Sequence, residues 1–171
     1  GYRAARDLEL EELETRLGLW LAWELRENAS HEPYLFEKSF GEPRDAGENV
    51  RVVMESGGRS ASFAGRIDRI DRARGGGPAH VIDYKTGKAP TGKASTGLRH
   101  GTRLQLPIYM YGGDAILGEV GSVGRALYLH LREPGGPTAV EFTRDDLQEK
   151  QDDLLFAVGL ILKGIEEGML F

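Results

Sequence analysis

The 171-residue sequence contains no cysteine, which excludes disulfide bonds and thiolate metal sites. Any metal must be held by oxygen or imidazole ligands, and the chain offers 27 acidic residues and 4 histidines. It also lacks an apolar run near the roughly 18 residues of a membrane span, and lacks a charged-then-apolar leader. We therefore expect a soluble cytoplasmic protein with no membrane partner, folded as a single domain over 1–171, since a domain usually takes roughly 100–200 residues.

Acidic residues are also absent from one long segment, residues 84–113. The whole chain has a net charge of −5, which argues against non-specific coating of nucleic acid. The segment itself has no acid and five basic residues: Lys85, Lys88, Lys93, Arg99 and Arg103. Such a run is commonly a solvated face, although it also suits contact with phosphate groups, and both interpretations stay open here.

The hydrophobic periodicity predicts a layered chain of helices and strands. We predict an amphipathic packing helix over 3–28, strands over 33–41, 49–56, 60–71 and 79–85, a loop over 88–101, a helix over 102–117, a strand over 123–133 followed by another, and a last helix that Thr143 and Asp146 open as a capping box. Pro107 and the pair Gly112–Gly113 make the second helix irregular. This order predicts an α/β (α+β) fold, a mixed sheet flanked by helices.

Two acids stand on either side of the turn ARGGGP, residues 73–78. If the flanking strands pair antiparallel, Asp68 and Asp83 come close together, and like charges so placed favour a cation between them. Lys85 lies two residues after Asp83, on the same strand face. A hard cation with two carboxylates and an adjacent ammonium suits phosphodiester hydrolysis. The alternative is structural: Asp68 and Asp71 form a charge ladder with neighbouring arginines, and Asp83 and Lys85 form a strand-end ion pair.

A longer stretch resembles a known family. The segment GRIDRIDRARGGGPAHVIDYKTGK (65–88), the following LQLPIY (104–109) and LFEKSFG (35–41) closely resemble the RecB-type branch of the PD-(D/E)xK nuclease superfamily. This branch includes the nuclease domains of RecB and AddAB-type helicase–nucleases and CRISPR-associated RecB-like nucleases. The combination of motifs is far more specific than a single D-x-K. The resemblance implies the restriction-endonuclease-like PD-(D/E)xK core.

The resemblance also implies roles for individual residues. Asp68 and Asp83 would be ligands of Mg²⁺ or Mn²⁺, with the backbone carbonyl of Tyr84 as a third oxygen and Glu37 as a further candidate. Lys85 would be the catalytic lysine, and Gln105 and Tyr109 would line the site. The alternative for Gln105 and Tyr109 is a polar contact at a helix start and a core tyrosine. We further expect Lys88, Arg99 and Arg103 to contact DNA phosphates.

The function implied is that of a metal-dependent DNA nuclease, the module of a bacterial recombination or repair helicase–nuclease that acts on single-stranded DNA beside a helicase domain or partner subunit. The alternatives are a non-catalytic nuclease-fold scaffold that binds DNA or a partner, and a stand-alone CRISPR-associated nuclease. Relatives often carry a histidine helix and an iron–sulfur cluster. We cannot place that histidine here, and without cysteine the cluster is excluded from this chain. We therefore expect a fragment of a larger polypeptide or a short form.

Overall fold

The computed structural model describes residues 2–41 and 51–169. The helices are α1 (Tyr2–Glu27), α2 (Gln105–Leu117), α3 (Arg144–Glu149) and α4 (Gln151–Glu166). The strands are β1 (His31–Phe40), β2 (Val52–Ser56), β3 (Arg59–Phe63), β4 (Gly65–Ala73), β5 (Ala79–Lys85), β6 (Val123–His130) and β7 (Thr138–Thr143). None of the described helices combines the length and the apolar character needed to cross a membrane.

A mixed five-stranded sheet forms the centre of the fold, in the order β1-β4-β5-β6-β7. β5 and β6 are parallel, with α2 in the connection between them, and the other neighbouring pairs are antiparallel. β2 and β3 form a separate antiparallel hairpin. The expected mixed sheet flanked by helices is therefore confirmed.

The two faces of the sheet carry different cores. On one face, α2 and α4 pack over the side chains of the larger core, among them Ile67, Val81 and Ala126, all fully buried. On the other face, Trp20 and Trp23 of α1 pack on a smaller cluster that includes Ile82 and Leu127. Successive residues of a strand point to opposite faces, so neighbouring positions of β4 and β5 serve different environments.

The expectation that α1 is a packing helix is wrong for most of its length. Trp23 is only 6% exposed, whereas the other half of the apolar pattern is open to solvent, with Leu8 at 67% and Leu13 at 62%. Contact with the sheet is confined to the last two turns, which hold Trp20, Trp23 and Glu24. An apolar pattern identifies a helix face, but it does not supply the surface that covers it.

The prediction of one strand over 60–71 is also wrong, because the chain changes partners at Ala64. Residues before it pair with β2 in the hairpin, and residues after it pair with β1 and β5 in the main sheet. Gly65 begins β4 where a Cβ atom would lie 2.9 Å from the Phe40 ring, so a larger residue does not fit. Of the strand predicted over 49–56, residues 49 and 50 lie outside the described residues, and β2 begins at Val52.

The second helix is regular despite its proline and its glycine pair. It begins at Gln105 rather than at residue 102, so Pro107 lies in its first turn, where no intrahelical N–H bond is lost. Gly112 and Gly113 are buried against the sheet. A Cβ atom on Gly113 would lie 2.6 Å from Val123 Cγ2. The glycines thus bring α2 close to the strands that carry the site.

Gly113→Ala is expected to lower the free energy of unfolding by about 1–3 kcal/mol, because a methyl group would overpack this contact. Gly18→Ala is the matched control, since Gly18 lies within α1 and a Cβ atom there meets nothing within 4 Å. The control should stabilise the chain by up to about 1 kcal/mol. Urea unfolding followed by circular dichroism measures both. Equal effects of the two substitutions would contradict the close α2 contact.

The end of the fold agrees with the sequence in its start signal. Thr143 accepts a hydrogen bond from the Asp146 backbone, and the Asp146 side chain accepts one from the Thr143 backbone, so the predicted capping box is confirmed. The predicted single helix is divided at Lys150 into α3 and α4. The predicted strand over 123–133 ends earlier, at His130.

Candidate active site

Two carboxylates meet where β4 and β5 lie side by side. The two strands pair antiparallel with Arg69 opposite Ile82, and one further step of this register places Asp68 opposite Asp83. Side chains at opposed positions share one face of a sheet. The expectation that antiparallel pairing brings these acids together thus agrees with the observed register.

Backbone contacts fix the position of Asp68. Its Oδ2 accepts a hydrogen bond of 2.9 Å from the backbone N–H of Tyr84, the residue that follows Asp83. Burial raises the pKa of Asp83 above its ordinary value, Lys85 acts in the opposite direction, and the charge of Asp68 adds to the increase. The mutual effect on pKa means that the two carboxylates repel each other at this site.

Lys85 and Gln105 complete a closed set of contacts around Asp83. Lys85 Nζ lies 2.5 Å from Asp83 Oδ2. The same nitrogen donates to Gln105 Oε1 at 3.2 Å, and Gln105 Nε2 donates to Asp83 Oδ1 at 2.9 Å. Asp83 Oδ2 is buried and makes no hydrogen bond of ordinary geometry, so its contact with Lys85 is an ion pair. The first residue of α2 is thereby joined to the end of β5.

Two tyrosines border this set. Tyr109 lies one turn after Gln105 in α2, and its hydroxyl donates to the carbonyl of Arg66 in β4 at 2.8 Å. Burial raises the pKa of Tyr109, and the hydrogen bond with Gln105 acts against this increase. Tyr128 of β6 lies opposite Asp83, and Lys85 Nζ is 4.9 Å from the centre of its ring. No sequence motif singled out Tyr128.

On the reverse face of the same strands lies a buried ionic network that the sequence pattern revealed only in part. Arg69 donates to Asp71, to Glu24 of α1 and to the hydroxyl of Tyr84. Burial opposes its charge, but the bonds to Glu24 and Asp71 outweigh burial and raise the pKa of Arg69 above its ordinary value. Asn28 donates to Asp71 at 2.6 Å. The network connects α1 to the strand residue whose N–H holds Asp68.

The proposed charge ladder along β4 forms without Asp68. Asp71 pairs with Arg69, whereas Arg72 pairs with Glu32. Among the described residues, the contact recorded for the Asp68 carboxylate is the Tyr84 backbone N–H. The structural alternative therefore describes Asp71 and not Asp68.

Glu37 has an unusual backbone and a partner outside the Asp83 set. Its φ of 52° is a left-handed value that few residues other than glycine adopt. Its carboxylate pairs with Arg66 Nε at 2.9 Å on an exposed surface. The structure thus places the Glu37 charge on Arg66, apart from the contacts that join Asp83, Lys85 and Gln105.

The three basic residues expected to contact DNA differ in their surroundings. Lys88 is exposed directly after β5. Arg103 donates to the backbone carbonyls of Lys93 and Thr91, so it holds the loop between β5 and α2 together. Arg99 lies 3.3 Å from Asp153 of α4. Lys88 therefore has the most open position of the three, while the two arginines already serve the loop.

Comparison with known proteins identifies the family. A profile described as the PD-(D/E)XK nuclease superfamily matches residues 2–167. This chain belongs to the PD-(D/E)XK nuclease superfamily. Among its relatives, a Moorella thermoacetica protein, named as a subunit of an "ATP-dependent helicase/deoxyribonuclease", is 33% identical over 149 residues, which are 78% of this chain and 12% of that protein.

Two further proteins resemble this PD-(D/E)XK chain. A Streptococcus pneumoniae protein named "Exonuclease/helicase subunit RexB" is 34% identical over 113 residues, 64% of this chain and 9% of that protein. A solved structure titled "Crystal structure of SSO0001" has a TM-score of 0.40 and 19% identity, covering 94% of this chain and 62% of the other. The chain thus spans about a tenth of the length of the helicase–nuclease subunits that it matches.

PD-(D/E)XK nucleases generally use divalent metals, so the donor set requires a test. Among residues 2–41 and 51–169, no cluster of three or more His, Cys, Asp or Glu side chains is suited to hold a metal ion. Asp68 and Asp83 supply two carboxylates, and Mg²⁺ needs one or two of these together with waters and substrate phosphate oxygens. The buried Asp83 Oδ2, paired only with a lysine, is a further oxygen suited to a cation. The residues present therefore fit a hard divalent ion.

Proposed function

We propose that this chain is a divalent-metal-dependent deoxyribonuclease domain that hydrolyses phosphodiester bonds. The observation that supports it most is the convergence of Asp68, Asp83 and Lys85 at the junction of β4 and β5, closed from α2 by Gln105. In this proposal Asp68, Asp83 and the Tyr84 carbonyl hold Mg²⁺ or Mn²⁺. When bound, such an ion neutralises phosphate charge and makes water more acidic.

The protein's own side chains have separate roles in this proposal. Lys85 donates hydrogen bonds to the attacking water and to a phosphate oxygen, which stabilises the charge that develops in the transition state. Gln105 holds the Lys85 ammonium and the Asp83 carboxylate at a fixed separation. Tyr109 fixes the start of α2 to β4. Lys88, at the open end of β5, contacts a backbone phosphate, as do Arg99 and Arg103 beside it.

The wider setting follows from the relatives. Their names describe subunits of helicases that are also deoxyribonucleases or exonucleases. We propose that this domain belongs to such a helicase–nuclease and receives single-stranded DNA from a helicase domain or partner subunit. A net charge of −5 accords with this arrangement, because a tethered nuclease does not have to capture DNA by itself.

The test is DNA cleavage together with metal binding. The chain is expected to cut single- or double-stranded DNA with Mg²⁺ or Mn²⁺ and to stop when EDTA is added. Asp68→Asn should weaken Mn²⁺ binding, measured by electron paramagnetic resonance, by roughly 10–100-fold, and cleavage should fall in parallel. Asp145→Asn is the control, since Asp145 is an acid on α3, away from β4 and β5.

Two results would contradict the proposal. Cleavage that persists in EDTA would exclude the metal dependence. A chain that binds DNA with Mn²⁺ present but cuts neither form of DNA would favour the non-catalytic scaffold.

A further inference from the structure

Tyr128 stands at the meeting point of the site's elements. It is 9% exposed, and it lies opposite Asp83 in the parallel pairing of β5 and β6. Its ring centre is 4.9 Å from Lys85 Nζ. Ammonium groups within about 6 Å of an aromatic face are attracted to it, most strongly where water is excluded.

The other end of the same side chain faces the start of α2. Burial raises the pKa of Tyr128 to about 12, the Asp83 charge adds to the increase, and the backbone N–H of Leu106 acts against it. Leu106 is the second residue of α2, and no side-chain hydrogen bond caps that helix at Leu104. The phenol is therefore neutral at neutral pH, with its hydroxyl toward the helix that carries Gln105.

We propose that Tyr128 is a positioning residue that holds the Lys85 ammonium on its ring, between Asp83 and Gln105. The lysine side chain is 35% exposed and long, so the ion pair with Asp83 alone leaves it free to swing toward water. The ring closes the side of the ammonium that neither the carboxylate nor the amide covers. The catalytic consequence of this role rests on the proposed function, whereas the contact itself does not.

The contact is tested by NMR on the whole chain with ¹³C-labelled lysine. The Lys85 ε-CH₂ protons should be shifted upfield by the ring current in the parent chain and in Tyr128→Phe, and the shift should be absent in Tyr128→Leu. Lys85→Arg removes the signal and thereby assigns it. Phe142→Leu is the matched control, because Phe142 is a fully buried aromatic of the same core and its loss should leave the Lys85 signal in place.

Cleavage kinetics test the consequence. Tyr128→Leu should lower kcat by about 10-fold with KM changed less than about 2-fold, because the ring acts on the reacting group and not on DNA binding. Tyr128→Phe should restore kcat, and Phe142→Leu should lower stability without this loss of kcat. Equal kcat values for the Leu and Phe variants of Tyr128 would overturn the role in catalysis.

The two proposals fail in distinguishable ways. No upfield shift in the parent chain, or the same shift in Tyr128→Leu, would overturn the positioning role whether or not the chain cuts DNA. A parent chain that shows the ring-current shift but cuts no DNA with Mg²⁺ or Mn²⁺ would contradict the proposed function, while supporting the contact between Tyr128 and Lys85.

Discussion

Lys85→Met is expected to lower the rate of DNA cleavage by roughly 10²–10³-fold, the loss typical when one preorganised donor to a transition-state charge is removed. Methionine keeps the length and apolar stem of the side chain but cannot donate a hydrogen bond. The substitution also removes the ion pair with Asp83 Oδ2, which leaves that buried oxygen without its cation. Single-turnover cleavage with Mg²⁺ in excess measures the chemical step directly.

Metal binding should respond differently from cleavage in the same variant. Near neutral pH, Mn²⁺ should bind Lys85→Met at least as tightly as the parent, because the ammonium no longer competes for Asp83. Lys85 acts to lower the pKa of Asp83, so its loss raises that pKa further. A proton then competes with the metal at higher pH, and the acidic limb of the Mn²⁺ binding curve should move to higher pH.

A control separates this effect from a general loss of positive charge. Lys163 is exposed on α4 and pairs with Glu167, so Lys163→Met should cut DNA at the parent rate. If Lys85→Met cuts DNA as fast as Lys163→Met, Lys85 has no catalytic role. If it loses Mn²⁺ binding together with cleavage, its role is to build the site and not to act in the reaction.

The sequence was most informative where the geometry is local. Asp68, Asp83 and Lys85 lie on two strands joined by a short turn, so alternation within a strand and antiparallel pairing predict their common face. The capping box at Thr143 is equally local, since its partner is three residues away. In both places a few neighbouring residues determine the arrangement.

The position of Tyr128 could not be predicted in the same way. β6 follows β5 only after the long loop and α2, and no spacing along the chain shows which residue of β6 lies opposite Asp83. The alternating pattern of β6 indicates a strand but not its register with a parallel neighbour. Burial of Tyr128 beside Lys85 therefore became visible only in the folded chain.

The surroundings of Arg69 were hidden for a related reason. Its place in β4 shows that it shares a face with Asp71, which suggests a surface ladder, whereas Glu24 of α1 lies 45 residues earlier and buries the pair. The pattern of α1 itself shows an apolar face, but it does not show that only Trp20, Trp23 and their neighbours reach the sheet. Burial depends on which distant element arrives, and local periodicity contains no such information.

Arg69→Met is expected to lower the free energy of unfolding by about 3–5 kcal/mol, the loss typical when one partner of a buried ion pair is removed. The side chain of Arg69 is 3% exposed and that of Asp71 is fully buried, so the substitution leaves a carboxylate with little more than the Asn28 amide as a partner. Arg72→Met is the control, because its pair with Glu32 is exposed and should contribute at most about 1 kcal/mol.

The double variant Arg69→Met/Asp71→Leu decides whether the loss comes from the uncompensated charge. Replacing both members of the pair with apolar residues removes the buried carboxylate, so the double variant should recover most of the stability that Arg69→Met loses. Urea unfolding of the four chains, followed by circular dichroism, gives the comparison even if the single variant is largely unfolded in buffer. If Arg69→Met unfolds no more easily than Arg72→Met, the network does not anchor α1 to the sheet. If the double variant is as unstable as the single one, the shape of the arginine side chain, and not its charge, holds that face of β4 together.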